Sequence, residues 1–123
     1  MRAKRYADLI AWQKAMDLVQ EVYGLTKRFP KEELYSLTSQ LRRAAVSVPS
    51  NLAEGHSRKG AREFSRCLSI APGSLSEAET QVEIARRLGY LTGEECAPFA
   101  EIAAETGRLI NGLINSLEQY ATQ

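Results

Sequence analysis

Five polar residues recur at helical spacing in the middle of the chain: Gln40, Arg43, Ser47, Asn51 and Glu54, at intervals of three, four, four and three. On a helix they form one stripe. Serine and asparagine are poor choices for an exposed helix interior, because their side chains compete for the backbone. Their presence points to a close helix approach or a hydrogen-bonded contact. Arg43 and Glu54 lie about three turns apart, roughly 16 Å along the axis, so they cannot pair within one helix. Three uses of the stripe stay open. It forms an intrachain polar network around Pro49, it meets another subunit, or it belongs to a cryptic active site or small-ligand site using Arg42, Arg43, Asn51 and Glu54.

A second cluster, Arg58, Lys59, Arg62 and Arg66, follows directly, with Arg62 and Arg66 one helical turn apart. Cations so grouped suit phosphates, and such binding tolerates sequence and weakens steeply with salt. Arg2, Lys4, Arg5, Arg42 and Arg43 are further candidate cations, while Glu54 and Glu63 dilute the cluster. Solvated surface charge is the competing reading.

Classical catalytic chemistry is scarce. There is one histidine, His56, and two cysteines, Cys67 and Cys96. A structural zinc site usually takes four such ligands. Di-iron bundles use Glu-x-x-His pairs, and the residue three before His56 is Ala53. His56 lies in Gly55-His56-Ser57-Arg58-Lys59, expected as an exposed loop. No P-loop, dinucleotide glycine fingerprint or local serine–histidine–acid motif occurs. The expectation is a protein without cofactor or metal that is not an enzyme. The cysteines read as reduced, which favours the cytoplasm.

The elements that must position these residues are helices. In the first, Trp12, Met16, Val19 and Tyr23 form one stripe, and Ala15, Leu18, Val22, Leu25 and Phe29 a second beside it. Asp8 is a fitting N-cap, and Pro30 stops the helix. The second helix starts near Ser36, buries Leu37, Leu41, Ala44, Val48 and Leu52, and ends at Gly55. Pro49 falls inside it and costs the Ala45 carbonyl its partner, so a donor such as Asn51 or an arginine is expected there. The third runs from Gly60 to Gly89 with Phe64, Leu68, Ala71, Leu75, Ala78, Val82 and Ala85 inward, interrupted at Pro72-Gly73. The fourth opens with a capping box, Thr92 and Glu95, and carries Phe99, Ile102, Thr106, Leu109, Leu113 and Leu117, widened by Ile110 and Ile114. No segment reads as a strand. Short loops favour antiparallel neighbours, so the expected fold is all-α: one up-down-up-down four-helix bundle over residues 1–123.

Composition agrees. The 123 residues are 44% hydrophobic and 25% charged, in keeping with a globular domain. Asp8, Gln13, Lys14 and Asp17 interrupt the N-terminal apolar stretch, which argues against a signal peptide, and no membrane segment is apparent. The formal net charge of +1 hides an asymmetry, with residues 1–60 at +5 and residues 61–123 at −4. The basic half therefore suits an acidic partner, either nucleic acid or the acidic last helix of another copy.

The stretch from Leu37 to Gly55, LTSQLRRAAVSVPSNLAEG, closely resembles the signature of the bacterial four-helix bundle proteins of the 23S rRNA intervening-sequence type. The resemblance extends through Trp12-Gln13-Lys14-Ala15, Tyr23 and Phe29-Pro30 upstream. Downstream it includes Glu63-Phe64, Ile70-Ala71, Gly73-Ser74 and Leu88-Gly89-Tyr90. Ser36 stands where the family often has glycine, and Pro72 where it commonly has a helix-compatible residue. The resemblance implies an antiparallel bundle assembled as a homopentamer, with no catalytic residues. A related subgroup is similar to accessory proteins of retroelements, pentamers that bind nucleic acid and a reverse transcriptase.

Overall fold

The computed structural model describes residues 5–58 and 60–122, and of residues 120–122 only the backbone. The described residues form five α-helical segments, α1 (Ile10–Thr26), α2 (Leu37–Ser57), α3 (Ala61–Leu68), α4 (Ala71–Arg87) and α5 (Gly93–Thr122), with one short 3-10 turn before α1 and another between α1 and α2. There is no strand among the described residues. α3 and α4 are the two pieces of the expected third helix, so the chain is an all-α protein built on four helical passes.

The packing order is cyclic. α1 packs on α2 and α5, and α4 packs on α2 and α5. Among the described residues no Cα of α1 comes within 8 Å of one in α4, and none of α2 within 8 Å of one in α5. α3 braces one end by packing on α2 and α5. The core runs down the middle. From α2 it takes Leu37, Leu41, Ala44, Val48 and Leu52; from the third pass, the whole stripe Phe64 to Ala85. Each fully buried leucine or phenylalanine side chain contributes about 1.5–3 kcal/mol relative to exposure.

On α1 the second stripe faces the core: Ala15, Leu18, Val22, Leu25 and Phe29 are buried, as is Ala11. Trp12 and Val19 are half-buried, and Met16 and Tyr23 face outward. α5 buries Phe99, Ala103, Thr106, Ile110 and Leu117, with Ile102, Leu109, Leu113 and Ile114 packed beside them. The Thr106 hydroxyl keeps its polar atom satisfied by donating to the Ile102 carbonyl at 2.7 Å.

The ends correct several expectations. Asp8 is not the N-cap of α1; Leu9 is, and Asp8 belongs to the preceding 3-10 turn. α1 ends at Thr26, three residues short of Phe29, because the chain tightens there: Arg28 and Phe29 donate to the carbonyls of Leu25 and Thr26, both at 3.1 Å. Gly55 does not terminate α2, which continues to Ser57. Gly55 is instead a point of close approach. A Cβ there would lie 2.8 Å from Phe64 Cδ1 and 3.1 Å from Cys67 Cβ, so glycine is what lets α3 fold back onto α2.

The third helix breaks before Pro72, not at Pro72-Gly73. Pro72 has no N–H for the Leu68 carbonyl, and Leu68 is the last residue of α3. Pro72 then sits in the first turn of α4, where a missing N–H costs nothing. Three expected terminators hold. Gly60 (φ 84°) precedes α3, and Gly89 (φ 81°) closes α4, both left-handed. The capping box is complete: the Glu95 N–H donates to Thr92 Oγ1 at 3.1 Å, and the Thr92 N–H to Glu95 Oε1 at 2.8 Å. That bond to the Thr92 N–H is the main reason the Glu95 carboxyl titrates below its ordinary range.

Candidate functional site

α2 is continuous through Pro49, and its outer edge carries the polar stripe. The middle of the stripe is a network. The Asn51 amide donates to the Ser47 carbonyl at 2.8 Å and to Ser47 Oγ at 3.0 Å. Ser47 Oγ in turn shares a 2.9 Å hydrogen bond with Ser74 Oγ on α4. Small polar side chains here tie α2 to α4, as their poor helix propensity suggested. The Asn51 amide does not serve the Ala45 carbonyl that Pro49 leaves; it binds the Ser47 carbonyl two residues on.

The stripe is not gathered around one point. Glu54 lies beyond the network and pairs with Arg58 at 2.8 Å, one turn away on the surface. Gln40 and Arg43 are exposed, and with Ser47 they line a groove between α2 and α4. Ser74, Glu77 and Gln81 form its far wall, around a volume of about 300 Å³. Gln81 Oε1 is buried there without a hydrogen-bond donor. Sequence spacing could not have nominated Ser74, Glu77 or Gln81, which reach the stripe only through packing.

On the other side of α2 lies a groove against α1, about 370 Å³, lined by Tyr23, Arg42, Arg43, Val46 and Ser47. Arg42 is half-buried and held in two ways. Its Nε donates to Thr26 Oγ1 at 2.8 Å, and its guanidinium carbon stands 4.5 Å over the Tyr23 ring. Thr26 is itself fixed by donating to the Val22 carbonyl at 2.9 Å. The guanidinium is thus oriented through Nε and its face, leaving its Nη edge for other acceptors. Neither Arg42 nor Arg43 makes a salt bridge among the described residues. Arg42, Arg43, Asn51 and Glu54 are therefore not gathered as a single ligand site.

The basic cluster is diluted further than its sequence implies. Arg58 is engaged by Glu54, whose hydrogen bond raises the arginine's pKa, and Arg66 lies 3.7 Å from Glu63. Arg62 is exposed, and Lys59 lies outside the described residues, as do Arg2 and Lys4. The charge asymmetry between the halves is also partly used inside the subunit. Lys14 on α1 pairs with Glu105 on α5 at 3.2 Å, and Arg28 pairs with Glu95 at 2.7 Å.

His56 is not in an exposed loop. It is in the last turn of α2, half-buried, with its ring edge-on to Phe64 at 5.7 Å. Burial raises the Cys96 thiol pKa, which keeps it protonated at neutral pH. No group of three or more His, Cys, Asp or Glu among the described residues is arranged to hold a metal ion. No helix among them is long and apolar enough to cross a membrane.

Comparison with curated proteins finds no significant match. Among solved structures, the chain is similar to a crystal structure of a protein with unknown function from the S23 ribosomal protein family of Bacteroides thetaiotaomicron VPI-5482. The two share 21% identity and superpose with a TM-score of 0.78 over 85% of this chain and 98% of the other, which is a likeness of fold. Residues 7–112 match the sequence profile of one family, spanning every helix described above except the end of α5. The chain belongs to the 23S rRNA-intervening sequence protein family.

Proposed function

We propose that the protein is a non-enzymatic, self-associating bundle, an antiparallel up-down-up-down unit of a homopentamer that works in the cytoplasm as a binding or scaffold module. The observation that carries this is the outer surface beside α2. Tyr23 and Val46 on one side and Ile84 on the other are about 40% exposed; the first two line a groove with Arg42 and Arg43, and Ile84 lines one with Gln81. Apolar and aromatic side chains interleaved with arginine are the composition of protein interfaces rather than of solvated faces. Light scattering tests it: a pentamer of 13.7 kDa chains has a mass of about 68 kDa. A mass near 14 kDa at micromolar concentration rejects self-association.

A nucleic acid, RNA above all, is the client this reading favours, and a reverse transcriptase that handles it is a second protein to try. Arg62, exposed beside Arg58 and Arg66, supports the first. Five copies would raise avidity with no new contact. Titration with mixed-length RNA at low salt tests it. Replacing Arg58, Lys59, Arg62 and Arg66 together by glutamine should abolish binding and leave the oligomer intact. No binding by wild type near 50 mM salt, or equal binding by the variant, removes nucleic acid from the function.

A further inference from the structure

The two grooves flanking α2 share Arg43 but differ in what else they offer. The α1/α2 groove presents donors: the oriented Nη edge of Arg42 and the exposed Arg43, with Tyr23 and Val46 as apolar walls. The α2/α4 groove, opposite its own Arg43, adds acceptors: the Glu77 carboxylate, which makes no ion pair among the described residues, and the buried Gln81 Oε1, which has no donor there. Leu37 and the exposed Ile84 supply apolar surface beside them. A buried acceptor left without a donor is costly, so an incoming N–H is favoured there.

We infer that the α1/α2 groove of one copy docks onto the α2/α4 groove of the next, with Arg42 of one copy pairing with Glu77 of its neighbour and an arginine N–H reaching Gln81 Oε1. This rests on the self-association proposed above and names its interface. Different patches meeting head to tail give a ring when the rotation closes. In a cyclic four-helix arrangement neighbouring grooves face about 90° apart, near the roughly 108° between contacts in a five-membered ring, whereas opposite grooves lead to an open filament. The bisector of the two grooves runs through α2. That places α2, with Arg43 and Ser47 lining both grooves, towards the ring axis.

Charge reversal tests the pairing by light scattering and native mass spectrometry, with circular dichroism to check helix content. R42E and E77R should each lose the oligomer, a fivefold fall in mass, because each sets like charges face to face. The double variant R42E/E77R restores opposite charges across every interface and should regain the wild-type mass. Glu77 is exposed and makes no ion pair among the described residues, so E77R decides the matter even where R42E fails to fold. A wild-type oligomer that survives E77R, or a double variant that stays dissociated, overturns this interface and leaves self-association standing. A monomeric wild type overturns both.

Discussion

Replacing Gly55 by alanine reverses the usual effect of that substitution. In an open helix interior, Gly→Ala gains about 0.8–1 kcal/mol from backbone entropy. At Gly55 the new Cβ would lie 2.8 Å from Phe64 Cδ1, 3.2 Å from Cε1 and 3.1 Å from Cys67 Cβ. Carbon atoms pack comfortably at about 3.5–4.0 Å, so the phenyl ring must retreat by roughly 0.7 Å. Phe64 is only 1% exposed, so its ring cannot retreat into solvent. The Cys67 Cβ is fixed to the α3 backbone and cannot swing aside. Overpacking of this kind costs about 1–3 kcal/mol, and the two contacts together place the cost near the upper end. The net expectation is a loss of about 1–2 kcal/mol, the helix gain having been subtracted. For a chain of this size that lowers Tm by roughly 3–8 °C. Gly112→Ala is the control, since it lies in α5 with nothing within 4 Å of its would-be Cβ, and it should stabilise. Urea and thermal unfolding should be compared at one protein concentration, because the proposed association would contribute to apparent stability. Phe64→Leu in the Gly55→Ala background should recover part of the loss, with a coupling of about 1 kcal/mol. If Gly55→Ala is as stabilising as Gly112→Ala, close packing of α3 on α2 is not what requires glycine.

The remaining predictions concern polar groups. Ser47→Ala and Ser74→Ala should couple by about 0.5–1.5 kcal/mol in a double-mutant cycle, because one hydrogen bond joins α2 to α4 there; strictly additive effects would show that bond to be immaterial. Thr92→Ala removes the acceptor for the Glu95 N–H and should cost about 1 kcal/mol in chemical unfolding, while Thr92→Ser should keep most of it. Arg86 and Arg87 hold the Glu83 carboxyl down at about 2 from its ordinary 4.5. The stability it contributes is therefore complete above pH 4.5 and lost as pH falls towards 2. Glu83→Gln should be slightly less stable than wild type at neutral pH, a small gap because the pair is exposed, and acid titration of stability should show that gap closing over the same window.

Spacing alone made the helices legible. The third-pass stripe from Phe64 to Ala85 and the α2 stripe from Leu37 to Leu52 are buried throughout, because a 3.6-residue period leaves a helix one face to bury. Caps that depend on local chemistry were legible too: Thr92 with Glu95, and the left-handed glycines at 60 and 89. On α1 two apolar stripes compete, and which one faces inward depends on where α2 and α5 stand. Packing selected the Leu18 stripe and left Tyr23 to support Arg42. Gly55 read in sequence as a helix end, and only the return of Phe64 shows it to be a point of close approach. The break before Pro72 follows from a missing N–H, yet its register, with Leu68 last in α3, is set by the chain returning to helix at Ala71. The candidate site divides the same way. Gln40, Arg43, Ser47, Asn51 and Glu54 were visible as a stripe because one helix holds them. Ser74, Glu77 and Gln81, which face that stripe, and Thr26 and Tyr23, which hold Arg42, lie on other helices, and their positions relative to α2 are fixed by the shared core. Periodicity describes one helix at a time, whereas a groove exists only between two.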